Sequence, residues 1–100
     1  MATVTKALAR TAAATSSTTL YTVPASTTAV VTNIAVANGA STAATFTLLL
    51  DDIELQKDST IAANSTAYID LKQVLATTKT IKGLASATTV DFHISGVEIS

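Results

Sequence analysis

Leu20-Tyr21-Thr22-Val23-Pro24-Ala25-Ser26-Thr27-Thr28-Ala29-Val30-Val31-Thr32-Asn33-Ile34-Ala35-Val36-Ala37-Asn38 is the stretch whose reading decides the fold. From Thr28 onward, Val30, Ile34 and Val36 share one parity with Thr28 and Thr32. Small or polar residues hold the other parity, where Val31 is the only large side chain. Alternation of β-branched against small residues at period two predicts a long strand with one buried face, Val30 inward and Val31 outward. Pro24 has no N–H to give to a ladder, so it ends a short strand over Leu20–Val23 or lies on an edge.

The same grammar extends along the chain. Asn38-Gly39-Ala40-Ser41 reads as a turn. Ala44, Phe46, Leu48 and Leu50 then alternate with Thr45 and Thr47, which leaves Leu49 on the outer side. Asp51-Asp52 predicts a tight two-residue hairpin into a return strand, Ile53–Gln56, with Ile53 and Leu55 inward. Lys57-Asp58-Ser59 breaks that strand, and Ala62-Ala63-Asn64-Ser65 turns the chain again. Ala67, Ile69 and Leu71 alternate with Thr66, Tyr68 and Asp70, and Val74 and Leu75 are expected to plug one end of the core. Ile81 and Leu84 share a face only if Gly83 marks a bulge, and Val97 and Ile99 join Val90, Phe92 and Ile94 only if Gly96 marks another.

Seven or eight short strands without an amphipathic helix predict an all-β, single-domain antiparallel β-sandwich, jelly-roll-like, over residues 18–100. Residues 1–17 read as a polar N-terminal arm, poor in side chains that can pack, although Val4, Lys6 and Leu8 alternate weakly enough for a short strand. The arm has no acid and is rich in Ala, Ser and Thr, as organellar transit peptides are, but it has no apolar core of a secretory signal.

Composition narrows the function. One hundred residues give one modest core, built from Val, Ile and Leu because there are two Phe, two Tyr and no Trp. Lys6 and Arg10 are the only charges in residues 1–50, whereas residues 51–100 sum to −3. No basic stripe with aromatic platforms marks a nucleic-acid binder. No apolar run of about 18 residues marks a membrane helix. The chain has no cysteine, hence no disulfide and no thiolate metal site. His93 is the only histidine and is set outward between Asp91 and Ser95, and no nucleophile or metal motif surrounds it. No cofactor is expected. Asp51, Asp52, Glu54 and Asp58 form an acidic knot that could attract calcium, but their spacing is not that of an EF-hand. Asn64-Ser65-Thr66 matches a glycosylation sequon and is also an ordinary turn. Threonine is about a fifth of the chain, too irregularly spaced for an ice-binding array and well suited to exposed strand faces.

The run Leu20–Val31 resembles the opening of a family of small virion proteins from tailed bacteriophages, in which a "LYTVPA" strand–turn precedes a Val/Ile-rich strand. Ile61-Ala62-Ala63-Asn64-Ser65 and the closing Ser86-Ala87-Thr88-Thr89-Val90-Asp91-Phe92-His93-Ile94-Ser95-Gly96-Val97-Glu98-Ile99 resemble later parts of that family. The resemblance covers about residues 18–99. It implies a β-sandwich structural component of a phage particle: a capsid decoration or cement protein, a homo-oligomer with a trimer favoured, bound to the major capsid protein or other virion proteins. The virion is then its location, and neither nucleic acid nor membrane is its partner. Leu49, Tyr68 and Leu84 are the candidate subunit or capsid contacts, joined by Lys6, Leu8 and Arg10 on the arm. A tail or neck protein is the alternative within that class. A glycan-binding module, with Tyr21 and Tyr68 as stacking platforms, is the alternative outside it, and an enzyme is the least supported.

Overall fold

A computed structural model describes residues 2–100. Eight strands, β1 (Thr3–Ala12), β2 (Thr18–Thr22), β3 (Thr28–Asn38), β4 (Ala44–Leu50), β5 (Ile53–Ile61), β6 (Ser65–Leu75), β7 (Thr80–Ala85) and β8 (Val90–Ile99), form two four-stranded antiparallel sheets. The first sheet runs β1-β8-β3-β6 and the second β2-β7-β4-β5. Consecutive strands switch between sheets except at the β4–β5 hairpin. This is the eight-stranded jelly roll expected from the strand pattern.

The core lies between the sheets. Phe92 on β8 and Phe46 on β4 meet edge-to-face across it, ring centroids 6.4 Å apart at 72°, a geometry that brings a positive ring edge to a negative ring face. Val31, Ile34, Val36, Leu48, Ile81, Val90 and Ile94 are completely buried around them. The hairpin at Asp51-Asp52 forms as predicted: both residues have positive φ (55° and 60°), the signature of a two-residue type I′ turn, and Leu50 pairs with Ile53 across it.

Several expectations are corrected by the register. Residues 3–12 are not a free arm. They pair with β8 from Thr3↔Ile99 to Ala12↔Asp91, and Leu8 belongs to the core. The link to β2 is also held, by Ala13 N–H to Val90 O (2.7 Å) and Ala85 N–H to Ala14 O (3.0 Å). β5 runs on through Lys57-Asp58-Ser59 to Ile61, because a bulge with Asp58 at φ 47° absorbs the break. β6 likewise continues to Leu75, which is buried, whereas Val74 faces solvent at 67% exposure. Ile53 is 71% exposed, since it sits on an edge strand at the hairpin tip with no layer above it.

The glycines do not reset the phase of their own strands. In β7, Ile81, Gly83 and Ala85 keep one buried parity, so Leu84 faces outward. In β8, Gly96 continues the buried parity of Val90, Phe92 and Ile94. The extra residues sit on the neighbours: Leu8 on β1, Leu20 on β2 and Thr32 on β3. The β3 bulge turns Ala29 and Val31 inward and Val30 outward. Cross-strand partners share a face, so Val97 and Val74, both paired with Val30, also face outward. All four edge strands (β1, β2, β5 and β6) carry a bulge, a device that spoils an edge as a template for another strand.

Asn38 closes one end of the sandwich. It is 2% exposed. Its Nδ2 donates to Thr42 O (2.9 Å) and more weakly to Ala62 O (3.3 Å) and Ile61 O (3.4 Å). Its Oδ1 accepts from Ala40 N–H (3.1 Å) and the Thr89 hydroxyl (3.4 Å). One amide thus ties the β3–β4 turn, the end of β5 and the β7–β8 loop together. Among the described residues no buried side-chain polar atom lacks a partner.

Candidate functional site

The six candidate contact residues fall in four places. Leu8 is in the core. Lys6 lies near the open end of the sandwich, where its ammonium meets Glu98 at 3.3 Å. Glu98 shares the buried parity of β8, opposite Ala29, and accepts a 2.5 Å hydrogen bond from the Tyr21 hydroxyl on the other sheet. Lys6, Glu98 and Tyr21 therefore link β1, β8 and β2. The Tyr21 hydroxyl, and secondarily Lys6, hold the Glu98 carboxyl below its ordinary value, against the desolvation that raises it. Burial first, and then Glu98, push the Tyr21 phenol up. With its ring in the core and its hydroxyl engaged, Tyr21 is not a stacking platform for a sugar.

Leu49 and Leu84 lie half-buried on the outer face of the β2-β7-β4-β5 sheet, on the neighbouring strands β4 and β7. Tyr68 and Arg10 lie on the outer face of the other sheet. There Arg10, His93, Ala35 and Tyr68 form one cross-strand row over β1, β8, β3 and β6. Tyr68 is 73% exposed. The apolar candidates are thus divided between two opposite faces.

Three of the four acids of the knot are met by lysines. Asp52 pairs with Lys82 (2.8 Å), Glu54 with Lys57 (3.1 Å) and Asp51 with Lys79 (3.6 Å). Hydrogen bonding and charge from Glu54 raise the Lys57 ammonium above its ordinary value. Among the described residues no three His, Cys, Asp or Glu side chains gather as metal ligands would. His93 is exposed beside Arg10 and Asp91 on an open face. Asn64 occupies a turn at φ 51°, its N–H bonded to Ala40 O (3.0 Å). A groove of about 350 Å³ opens between the edges of β5 and β6, with Leu50, Ile53, Leu55, Val74 and Leu75 on its walls.

Sequence reasoning missed the outward row Val97–Val30–Val74. The signal was present in Val30-Val31, two adjacent large residues of which only one can face the core. Parity counting chose the wrong one, because the bulge at Thr32 lies between Val31 and Ile34.

No protein-family model matches this chain, and no curated protein matches it. Among solved structures, a pentameric capsid protein isolated from metagenomic phage sequences aligns over 96% of this chain at 16% identity, with a TM-score of 0.40. This chain spans 59% of that protein's length. A likeness this distant carries no functional argument.

Proposed function

We propose that this chain is a non-enzymatic structural protein of a phage particle, in its most specific form a decoration protein that binds and stabilises the outer capsid shell. The observation that carries this reading is the pairing of an eight-stranded jelly roll, an architecture used by viral capsid domains, with outer faces dominated by small, hydroxylated and half-buried apolar side chains. Fold alone does not assign function, so the surface matters. Leu49 and Leu84 on one face, and Val30, Val97 and Tyr68 on the other, suit contact with protein neighbours. The lysine-paired acids and the solitary His93 offer no reacting constellation. The family resemblance of residues 18–99 supports the same assignment and carries a homotrimer with it. Self-association is the part we keep, and its order follows from the surfaces of this chain.

Quantitative mass spectrometry of purified virions against the major capsid protein tests the reading. Hundreds of copies in simple ratio to the capsid protein are expected. A few to a few dozen copies would move the protein to the neck or tail, and absence from the particle would overturn the reading in favour of a free binding module resting on Tyr68.

A further inference from the structure

We propose that the outer face of the β1-β8-β3-β6 sheet pairs with the same face of a second copy of this chain, about a two-fold axis running along the strands. The proposal rests on the self-association in the reading above, not on placement in a particle. Because every edge strand is bulged, addition of a strand at an edge is disfavoured, and the open faces remain.

The face is built in rows set by the register. One row is Thr5–Val97–Val30–Val74, uncharged throughout. The next is Ala7–Ser95–Asn33–Asp70, and the third is Arg10–His93–Ala35–Tyr68. The central positions Ser95, Ala35 and Ala37 are small, so a second sheet can approach to the usual spacing of about 10 Å. Charge is arranged across the face: Arg10 on β1 lies diagonal to Asp91 on β8, and β6 carries Asp70, the exposed Tyr68 ring and the exposed Lys72. A two-fold axis along the strands lays β1 of one copy over β6 of the other and keeps each row level with itself. Arg10 then meets the partner's Tyr68 ring, a cation–π contact, with the partner's Asp70 in the adjoining row, while each copy's Val30 lies over the partner's Val97. The contact is self-complementary, as a two-fold interface must be.

Its size is sufficient. The four strands are 10 or 11 residues long. At strand spacings of about 4.8 Å and a rise of about 3.3 Å per residue, each face offers roughly 600 Å². Two faces bury about 1,200 Å², the lower end of stable interfaces. Sheets packed this way cross at about 30°, so that area is the full-overlay limit and the approach is closest at the central strands β8 and β3. A two-fold pair gives a dimer or an even-numbered assembly in place of a trimer.

Light scattering coupled to size exclusion, on the full chain at about 100 μM, tests this. The expected mass is twice the 10.2 kDa of one chain. Arg10→Asp and Asp70→Arg are each expected to weaken the dimer about tenfold or more, and the double variant to restore it. Val30→Lys is expected to give a monomer with an unchanged circular-dichroism spectrum, since position 30 faces outward. A monomeric parent, an odd-numbered ring, failure of the double variant to recover, or a dimer lost on Leu49→Lys but not on Val30→Lys would overturn the proposal. A dimer absent from virions would sink only the particle reading, and a monomer present in hundreds of copies only this one.

Discussion

Leu8 on β1 lies directly over Gly96 on β8: a Cβ built on Gly96 would stand 2.9 Å from Leu8 Cδ1 and would overlap the Val30 carbonyl oxygen. Leu20 on β2 repeats the relationship over Gly83 on β7, again at 2.9 Å. In each sheet a leucine at an edge-strand bulge fills the space that a glycine leaves on the neighbouring strand. The two sites differ in what they touch. Gly96 is walled by backbone, Gly83 by the movable ends of Leu20, Phe92 and Leu48 side chains.

That difference predicts unequal costs. Gly96→Ala is expected to destabilise by about 3 kcal/mol, because backbone must shift, and Gly83→Ala by about 1 kcal/mol, because side chains can yield. Urea denaturation of both variants checks this, and equal losses would refute the explanation. Leu8→Ala should cost about 2–3 kcal/mol through the cavity over Gly96. That result would also separate a core strand from a dispensable arm.

Asn38 is expected to be the most sensitive polar position. Asn38→Ala leaves the Ala40 N–H and the Thr42 carbonyl without their side-chain partner, at a cost of about 2–3 kcal/mol. Asn38→Asp should be worse at neutral pH, where a buried carboxylate has no donor to offer Thr42. It should recover partly in acid, when the protonated carboxyl can donate. Thermal melts of both variants across pH 4–8, above the usual carboxylate value because burial raises the carboxyl, read the difference.

The Tyr21–Glu98–Lys6 link sets a pH dependence. The Glu98 carboxyl is held low in the folded chain, so its contribution is present above the unfolded value of 4.5 and is lost as pH falls through the folded value. The Tyr21 phenol is held high, so stability declines as pH rises past the unfolded value of 10.0. Tyr21→Phe should lower the melting temperature at neutral pH by a few degrees and flatten both limbs. A variant whose acid and alkaline limbs coincide with the parent's would show that the link contributes nothing.

Thr78 is the one β-branched residue with positive φ among the described residues, at 71°. It occupies the third position of the Ala76–Lys79 turn, closed by Lys79 N–H to Ala76 O at 3.1 Å, where glycine is favoured. Thr78→Gly is expected to stabilise by about 0.5–1 kcal/mol, net of the freedom glycine adds to the unfolded chain. The neighbouring Thr77→Ala should do the opposite, because the Thr77 hydroxyl bonds both the N–H (3.1 Å) and the carbonyl (2.6 Å) of Thr27. Calorimetric melting temperatures moving in the same direction for both variants would contradict this account of the turn.

The sequence by itself determined seven of the eight strands in outline, the two-residue hairpin at Asp51-Asp52 and the inward set of β4, because period-two alternation and turn chemistry are local. It also showed that no catalytic motif is spelled out along the chain. Only the tertiary structure decided which parity faces the core on β3, that Gly83 and Gly96 stay in phase while Leu20, Leu8 and Thr32 bulge beside them, and that residues 3–12 complete a sheet. A bulge is a property of two strands in register. One strand's sequence records the residues it needs but not the neighbour that makes room for them, and so the outward row Val97–Val30–Val74 became visible only once β8, β3 and β6 lay side by side.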